Sequence, residues 1–255
     1  MALRSEAYTF SGLGLLGLLV LGAASPSVAS AQTYTFDVRH QHWRGGARGT
    51  LRVTPDEISF AENSKKSKSD SRIWRYEEIQ QLTVSATELR ILTYEDSKWK
   101  LGRDREYVLD RLPKELAEQT YHLLTGKLDR RFIAGIPDQN VTADWKARAK
   151  LNQGLSGTVG TLLISREGVV FNAGERGGSR SWRLMDIDNI SRTGPLDFTL
   201  TTTEKSGWFR GGMSQFHFQL QETLPEGRFY ALWRRLNQSK GLTFLDLAAG
   251  EGTLP

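Results

Sequence analysis

Two of the four histidines in this 255-residue chain, His40 and His42, stand two positions apart. On a strand such residues project from one face, so the two imidazoles can begin a metal site, but no third ligand is visible nearby in the sequence. His122 and His217 are isolated. Glu77 and Glu78 are adjacent, so on a strand they face opposite ways and make a poor acid–base pair. Gly45-Gly-Ala-Arg-Gly49 lacks the Lys-Ser/Thr ending of a phosphate loop, and no zinc-protease helix motif occurs. A Gly-x-Ser-x-Gly nucleophile elbow is also missing. The chain has no cysteine, which removes disulfides, thiolate zinc sites, iron–sulfur clusters and cysteine nucleophiles. The expectation is a non-enzymatic protein with no cofactor and no resident metal.

Binding is better represented. Lys65, Lys66 and Lys68 with Arg72 fall in one polar stretch, and Arg176 and Arg180 in a second. Lys98, Lys100, Arg103 and Arg105 fall in a third, matched later by Lys205 and Arg210. Clustered cations concentrate anions such as phospholipid headgroups or acidic polysaccharides. Trp99 and Trp208 sit among them, in Ser97-Lys-Trp-Lys-Leu-Gly102 and Ser206-Gly-Trp-Phe-Arg-Gly211. A Trp beside cations at an exposed turn can anchor in a membrane interface or a partner's pocket. The bland alternative is that the charges keep loops solvated, with Asp70, Asp96 and Asp104 interspersed, and that each indole folds back onto a core. A net charge of +5 from 34 basic and 29 acidic side chains is too dilute to demand nucleic acid.

The elements that must carry these loops repeat. Gly49-Thr-Leu-Arg-Val-Thr-Pro-Asp-Glu-Ile-Ser-Phe60 lies over Gly160-Thr-Leu-Leu-Ile-Ser-Arg-Glu-Gly-Val-Val-Phe171 without a gap. Trp74-Arg75 then matches Trp182-Arg183, Trp99 matches Trp208, and Leu112-Pro113 matches Leu224-Pro225. Period-two alternation with a turn at Thr54-Pro55-Asp56 predicts a hairpin over Gly49 to Ala61, copied at Gly160 to Asn172. Further strands are predicted over Arg72 to Tyr76, Gln80 to Ser85, Glu88 to Glu95, Glu106 to Asp110 and Tyr34 to Val38. After Pro113, the spacing of Ala117, Thr120, Tyr121 and Leu124 predicts a helix with one apolar stripe. Phe229, Leu232, Trp233 and Leu236 repeat the pattern after Pro225. Each unit therefore reads as six or seven strands followed by a helix.

This run of Gly-Thr-Leu-x-Val-Thr, an apolar hairpin partner ending in Phe, and then Trp74 to Ile79 resembles the pleckstrin-homology (PH) superfold. It is most similar to GRAM-like and bacterial PH-like domains. The resemblance covers roughly residues 45 to 126 and 156 to 240, and the second copy departs from it at Leu184-Met-Asp-Ile187. It implies a mainly β fold: two PH-like antiparallel barrels or half-barrels, each capped by a C-terminal helix. It also implies a binding scaffold without catalytic residues. Phosphoinositide binding does not carry over, because the first hairpin loop holds Asp56 and Glu57 where basic residues are needed.

Residues 1–31 read as a signal peptide. Arg4 precedes the apolar run Gly12 to Ala24, and small residues follow it, ending in Ala29-Ser30-Ala31 before Gln32. As a helix that run spans about 20 Å, short of the roughly 30 Å hydrocarbon core, and an uncleaved membrane anchor is the alternative. The expected organisation is a PH-like domain over 32–128, a linker over 129–143, a second domain over 144–240 and a tail over 241–255. Export without cysteine suits a bacterial periplasm or the extracellular space. The expected partner is a protein, an anionic membrane surface or a polysaccharide. Two other readings stay open: a small hydrolase using carboxylates and His217 in a β-fold cleft, and a carrier of an apolar ligand inside a hollow barrel.

Overall fold

The computed structural model describes residues 33–42, 45–64, 70–97, 103–126, 131–153, 156–174, 177–204 and 214–241. The segment read as a signal peptide lies outside the described residues, as does most of the C-terminal tail. The strands of the first half are β1 (Tyr34–His42), β2 (Gly45–Val53), β3 (Glu57–Glu62), β4 (Arg72–Arg75), β5 (Ile79–Ser85), β6 (Glu88–Asp96) and β7 (Asp104–Asp110), followed by helix α1 (Lys114–Thr125). After β8 (Arg131–Gly135) come β9 (Ala143–Gln153), β10 (Ser156–Ser165), β11 (Gly168–Asn172), β12 (Arg180–Arg183), β13 (Ile187–Ser191), β14 (Asp197–Thr202), β15 (Ser214–Leu220) and helix α2 (Glu226–Ser239).

The protein is mainly β. Among the described residues all fifteen strands join in one open sheet, ordered β13-β14-β15-β9-β10-β11-β12-β8-β5-β6-β7-β1-β2-β3-β4. On either side of β8 the order is the same: the last three strands of a half pair in sequence, its first strand joins the third of these, and the next three follow. Neighbours are antiparallel except β5 and β8, which run parallel from Gln81 beside Arg131 to Ser85 beside Gly135.

Side-chain alternation makes the strands. In β1 the buried positions are Phe36, Val38 and His40; in β2 and β3 they include Leu51, Val53, Ile58 and Phe60. In β10 and β11, Leu162, Ile164, Val169 and Phe171 take the corresponding places. The two hairpin turns use the same device with different residues. Thr54 Oγ1 accepts the N–H of Asp56 and Glu57 at 3.3 and 3.1 Å. Ser165 Oγ accepts those of Glu167 and Gly168, each at 3.1 Å. A hydroxyl one residue ahead of the turn thus closes both. Gly49 and Gly160 are matched for a steric reason. A Cβ on Gly49 would lie 2.3 Å from Ala61 O and against the Phe60 ring; on Gly160 it would lie 2.3 Å from Asn172 O and against Phe171.

Each half has its own core. Leu51, Ile58, Leu82, Leu89, Ile91 and Leu109 belong to one, with Leu112, Ala117, Tyr121 and Leu124 packing α1 onto it. Leu162, Phe171, Phe198, Leu200 and Phe218 belong to the other, with Phe229, Leu232 and Leu236 packing α2. Pro113 and Pro225 stand just outside the first helical turn, as N-caps. Their missing N–H therefore costs no intrahelical bond.

The segment expected as a linker departs from that description. Residues 131–135 form β8, with Phe132 and Ala134 buried. The Gly and Pro around them suggested a loop, but Phe132, Ala134 and Ile136 alternate, and that short period-two signal wins once a free strand edge lies beside it. The joint to the second half is polar. Ser181 Oγ donates to Ile136 O at 2.9 Å and accepts from Asp138 N at 2.8 Å. Asp186 Oδ1 accepts from Phe132 N at 3.2 Å, and Arg183 Nη1 donates to Thr125 O at 3.1 Å. Among the described residues, no helix is long and apolar enough to cross a membrane.

Candidate functional site

Strand register brings the flanks of the cationic stretches together. His42 pairs with Gly45 at the β1–β2 turn. Gly49 pairs with Glu62, and Phe60 with Arg72, so β3 ends and β4 begins at that same end. Asp96 pairs with Asp104 where β6 passes to β7, and β7 lies beside β1 with Leu109 opposite His40. Residues 43–44, 65–69 and 98–102 are therefore flanked by strand ends at one rim of the first half. In the second half residues 154–155, 175–176 and 205–213 are flanked in the same manner.

At the first rim the side chains form one cluster. Tyr107 is buried and donates its hydroxyl to Glu95 Oε2 at 3.0 Å. Two guanidiniums lie over its ring, Arg72 at 5.0 Å and Arg105 at 4.8 Å. Both pair with Glu95, at 3.3 and 3.5 Å. Burial pushes the Tyr107 phenol up to about 12. Trp74 packs edge-on against the ring at 5.0 Å.

His40 lies beneath this cluster. It is 6% exposed, with its ring 4.3 Å from His42, 5.6 Å from Phe60 and 5.7 Å from Tyr107. Its Nδ1 is buried with no hydrogen-bond partner among the described residues. Burial, reinforced by His42 and the two arginines against the opposing pull of Asp70, holds its pKa down at about 4. His42 is half-exposed at the strand end, its Nε2 2.6 Å from Asp70 Oδ2. One ligand atom each from His40, His42 and Asp70 lies within 4.8 Å of the others.

The second rim repeats the frame with changed contents. Phe60 faces Arg72 as Phe171 faces Arg180, so Arg180 stands where Arg72 does and Trp182 where Trp74 does. Arg180 lies over Phe216 at 4.6 Å and Trp182 at 5.6 Å, and it pairs with buried Glu204. Burial lowers the Arg180 pKa and raises that of Glu204, against their mutual attraction. The register of β9 with β10 puts Leu151 in the place of His40.

The candidate contact residues therefore divide. Arg72 and Arg103 lie at the first rim, where Ser97 N donates to Arg103 O at 2.7 Å. Arg180 was expected as a surface cation and instead sits at the mouth of the second core. It stands two residues before Trp182, so it shares the inward face. Lys65, Lys66, Lys68, Lys98, Trp99, Lys100, Arg176, Lys205, Trp208 and Arg210 lie outside the described residues. Asp70 is the residue that sequence reasoning passed over, since nothing in its spacing ties it to His42. His217 bonds Thr199 Oγ1 at 3.0 Å and His122 bonds Asn140 at 3.1 Å, both exposed. A shallow cleft at the joint is lined by Arg131, Phe132, Ile133, Asp186, Thr203 and Glu204, and its volume of about 10 Å³ is far below the roughly 300 Å³ at which small-molecule pockets begin.

No protein-family model and no curated protein matches this chain. Among solved structures it is similar to a chain in the structure of the Spt16D Pob3N heterodimer. The identity is 12% and the TM-score 0.32, over 68% of this chain and 84% of that one.

Proposed function

We propose that this is an exported, non-enzymatic binding protein of the bacterial envelope. On this reading it is built of two PH-like units over 32–128 and 144–240 that arose by duplication, and each offers a cation- and Trp-bearing end to an anionic surface. The observation that carries the reading is the strand register. In each half it gathers the flanks of the cation-rich stretches at one end, which supports a shared ligand for charges far apart in sequence. The identical strand order on both sides of β8, with a Pro-led helix after each set, supports the duplicated PH-like description.

Anionic vesicles of phosphatidylglycerol provide the test. At low salt the full chain without its leader should co-sediment with them, and binding should fall as salt screens the loops. Reversing Lys65, Lys66 and Lys68 to Glu should weaken it by about 1 kcal/mol per cation held near the surface. Replacing Trp99 and Trp208 by Ala should weaken binding further in a salt-independent manner. If the wild-type chain ignores the vesicles at low salt, the membrane reading is overturned, and a protein ligand for the same ends gains.

A further inference from the structure

We infer that His40, His42 and Asp70 form a binding site for one divalent transition-metal ion of the zinc class. The three residues come from the end of β1 and from the approach to β4, and their ligand atoms fall within 4.8 Å of each other. Two imidazole nitrogens with one carboxylate oxygen suit Zn²⁺, Co²⁺, Ni²⁺ or Cu²⁺, whereas Mg²⁺ and Ca²⁺ favour shells of oxygen. An independent observation points the same way. His40 is nine-tenths buried, and its Nδ1 has no hydrogen-bond partner among the described residues. An orphaned buried nitrogen is costly, and an ion bound through it would supply the missing partner.

The geometry needs only small movements. Donors about 2.0–2.1 Å from a tetrahedral ion stand roughly 3.3 Å apart. His42 Nε2 and Asp70 Oδ2, at 2.6 Å, would open as the ion comes between them, and the widest separation would close. Both side chains are partly exposed, so both can turn. His40 is the fixed member, held between Phe60 and Tyr107.

Two cations face the site, Arg72 from β4 and Arg105 from β7, and they oppose an incoming ion. Glu95 pairs with both, and Asp70 adds a second negative charge, so the surroundings are balanced before the ion arrives. Three protein ligands leave a fourth position for water or for an anionic group of a ligand docked at the same rim. The second half is a built-in control. Leu151, Gln153 and Gly178 stand in the places of His40, His42 and Asp70, so one ion per chain is expected.

The test is titration of the untagged full chain with Co²⁺, followed by visible absorption, and with Zn²⁺, followed by calorimetry near neutral pH. Wild type should bind one ion and show the strong visible bands of four-coordinate Co²⁺. His42→Gln and Asp70→Asn touch the partly exposed members and should keep the native circular dichroism. Each should weaken Zn²⁺ by more than about tenfold, the loss that even an outer partner of a metal ligand causes. His40→Leu installs the residue of the second half and should abolish the bands, whereas His122→Ala and His217→Ala should leave them unchanged. No saturable binding by wild type, wild-type affinity in H42Q and D70N, or loss in H122A or H217A would each overturn the assignment. Vesicle binding is a separate readout, so either proposal can fail while the other stands.

Discussion

At the first rim Glu95 is shared by Arg72 and Arg105 in partial contact with water, while at the second Glu204 is buried with Arg180. The aromatic neighbour differs as well. Tyr107 turns a hydroxyl toward its carboxylate, and Phe216 in the same place has none. One strand frame thus supports a wet, polar rim in one half and a closed, ion-plugged one in the other. An inward position at the end of a strand can be filled either by extending the core or by admitting water and charge.

The sharpest way to break this comparison is to remove one partner of each ion pair. Glu204→Ala leaves the Arg180 charge buried and unpaired and should cost about 3–5 kcal/mol in denaturant unfolding. Glu95→Ala removes a half-exposed carboxylate and should cost no more than about 1 kcal/mol. Replacing Arg180 and Glu204 together by Met and Leu should recover wild-type stability or exceed it. Equal losses from the two single substitutions would erase the distinction between the rims.

Next in size are the glycines that make the halves alike. Gly49→Ala and Gly160→Ala both drive a methyl group into a neighbouring carbonyl and a Phe ring. Each should destabilise by about 1–3 kcal/mol, the usual cost of overpacking, and a silent result at either would show that the two hairpins are not equivalent.

His40 gives the first half an acid sensitivity that Leu151 cannot give the second. Its pKa is about 4 in the folded chain against an ordinary 6.5, so the folded state binds the proton less readily than the unfolded one. Its contribution is complete above pH 6.5 and is lost as the pH falls toward 4. Thermal melts across that window should show a drop in Tm that His40→Leu reduces. An unchanged profile would mean that the imidazole is wetter than its burial indicates. The smallest expected effect is at the strand corner, where the Tyr76 hydroxyl donates to Thr54 O at 2.5 Å and Leu184 fills the matching place. Tyr76→Phe should cost about 1 kcal/mol in the same denaturant assay.

Much of the frame was legible in the residues. Alternation marked the hairpins of both halves, Pro113 and Pro225 marked the helix starts, and paired Gly, Trp and Pro positions aligned the halves. Strand β8 was harder to see. Five residues in a Gly- and Pro-bearing segment carry a weak signal, and their pairing depends on the β5 and β12 edges. Of the candidate metal site the two imidazoles were visible from their spacing, but Asp70 was not. It reaches His42 only because β1, β2, β3 and β4 pair in register.

Local pattern therefore marked both hairpins and both helices but not β8, because period two, period 3.6 and the missing N–H of proline act over a few residues. Tertiary structure decided which charges meet: His42 with Asp70, Arg180 with Glu204, and two arginines with one glutamate. Those meetings depend on strand register and burial, and both emerge only when distant segments pack against one another.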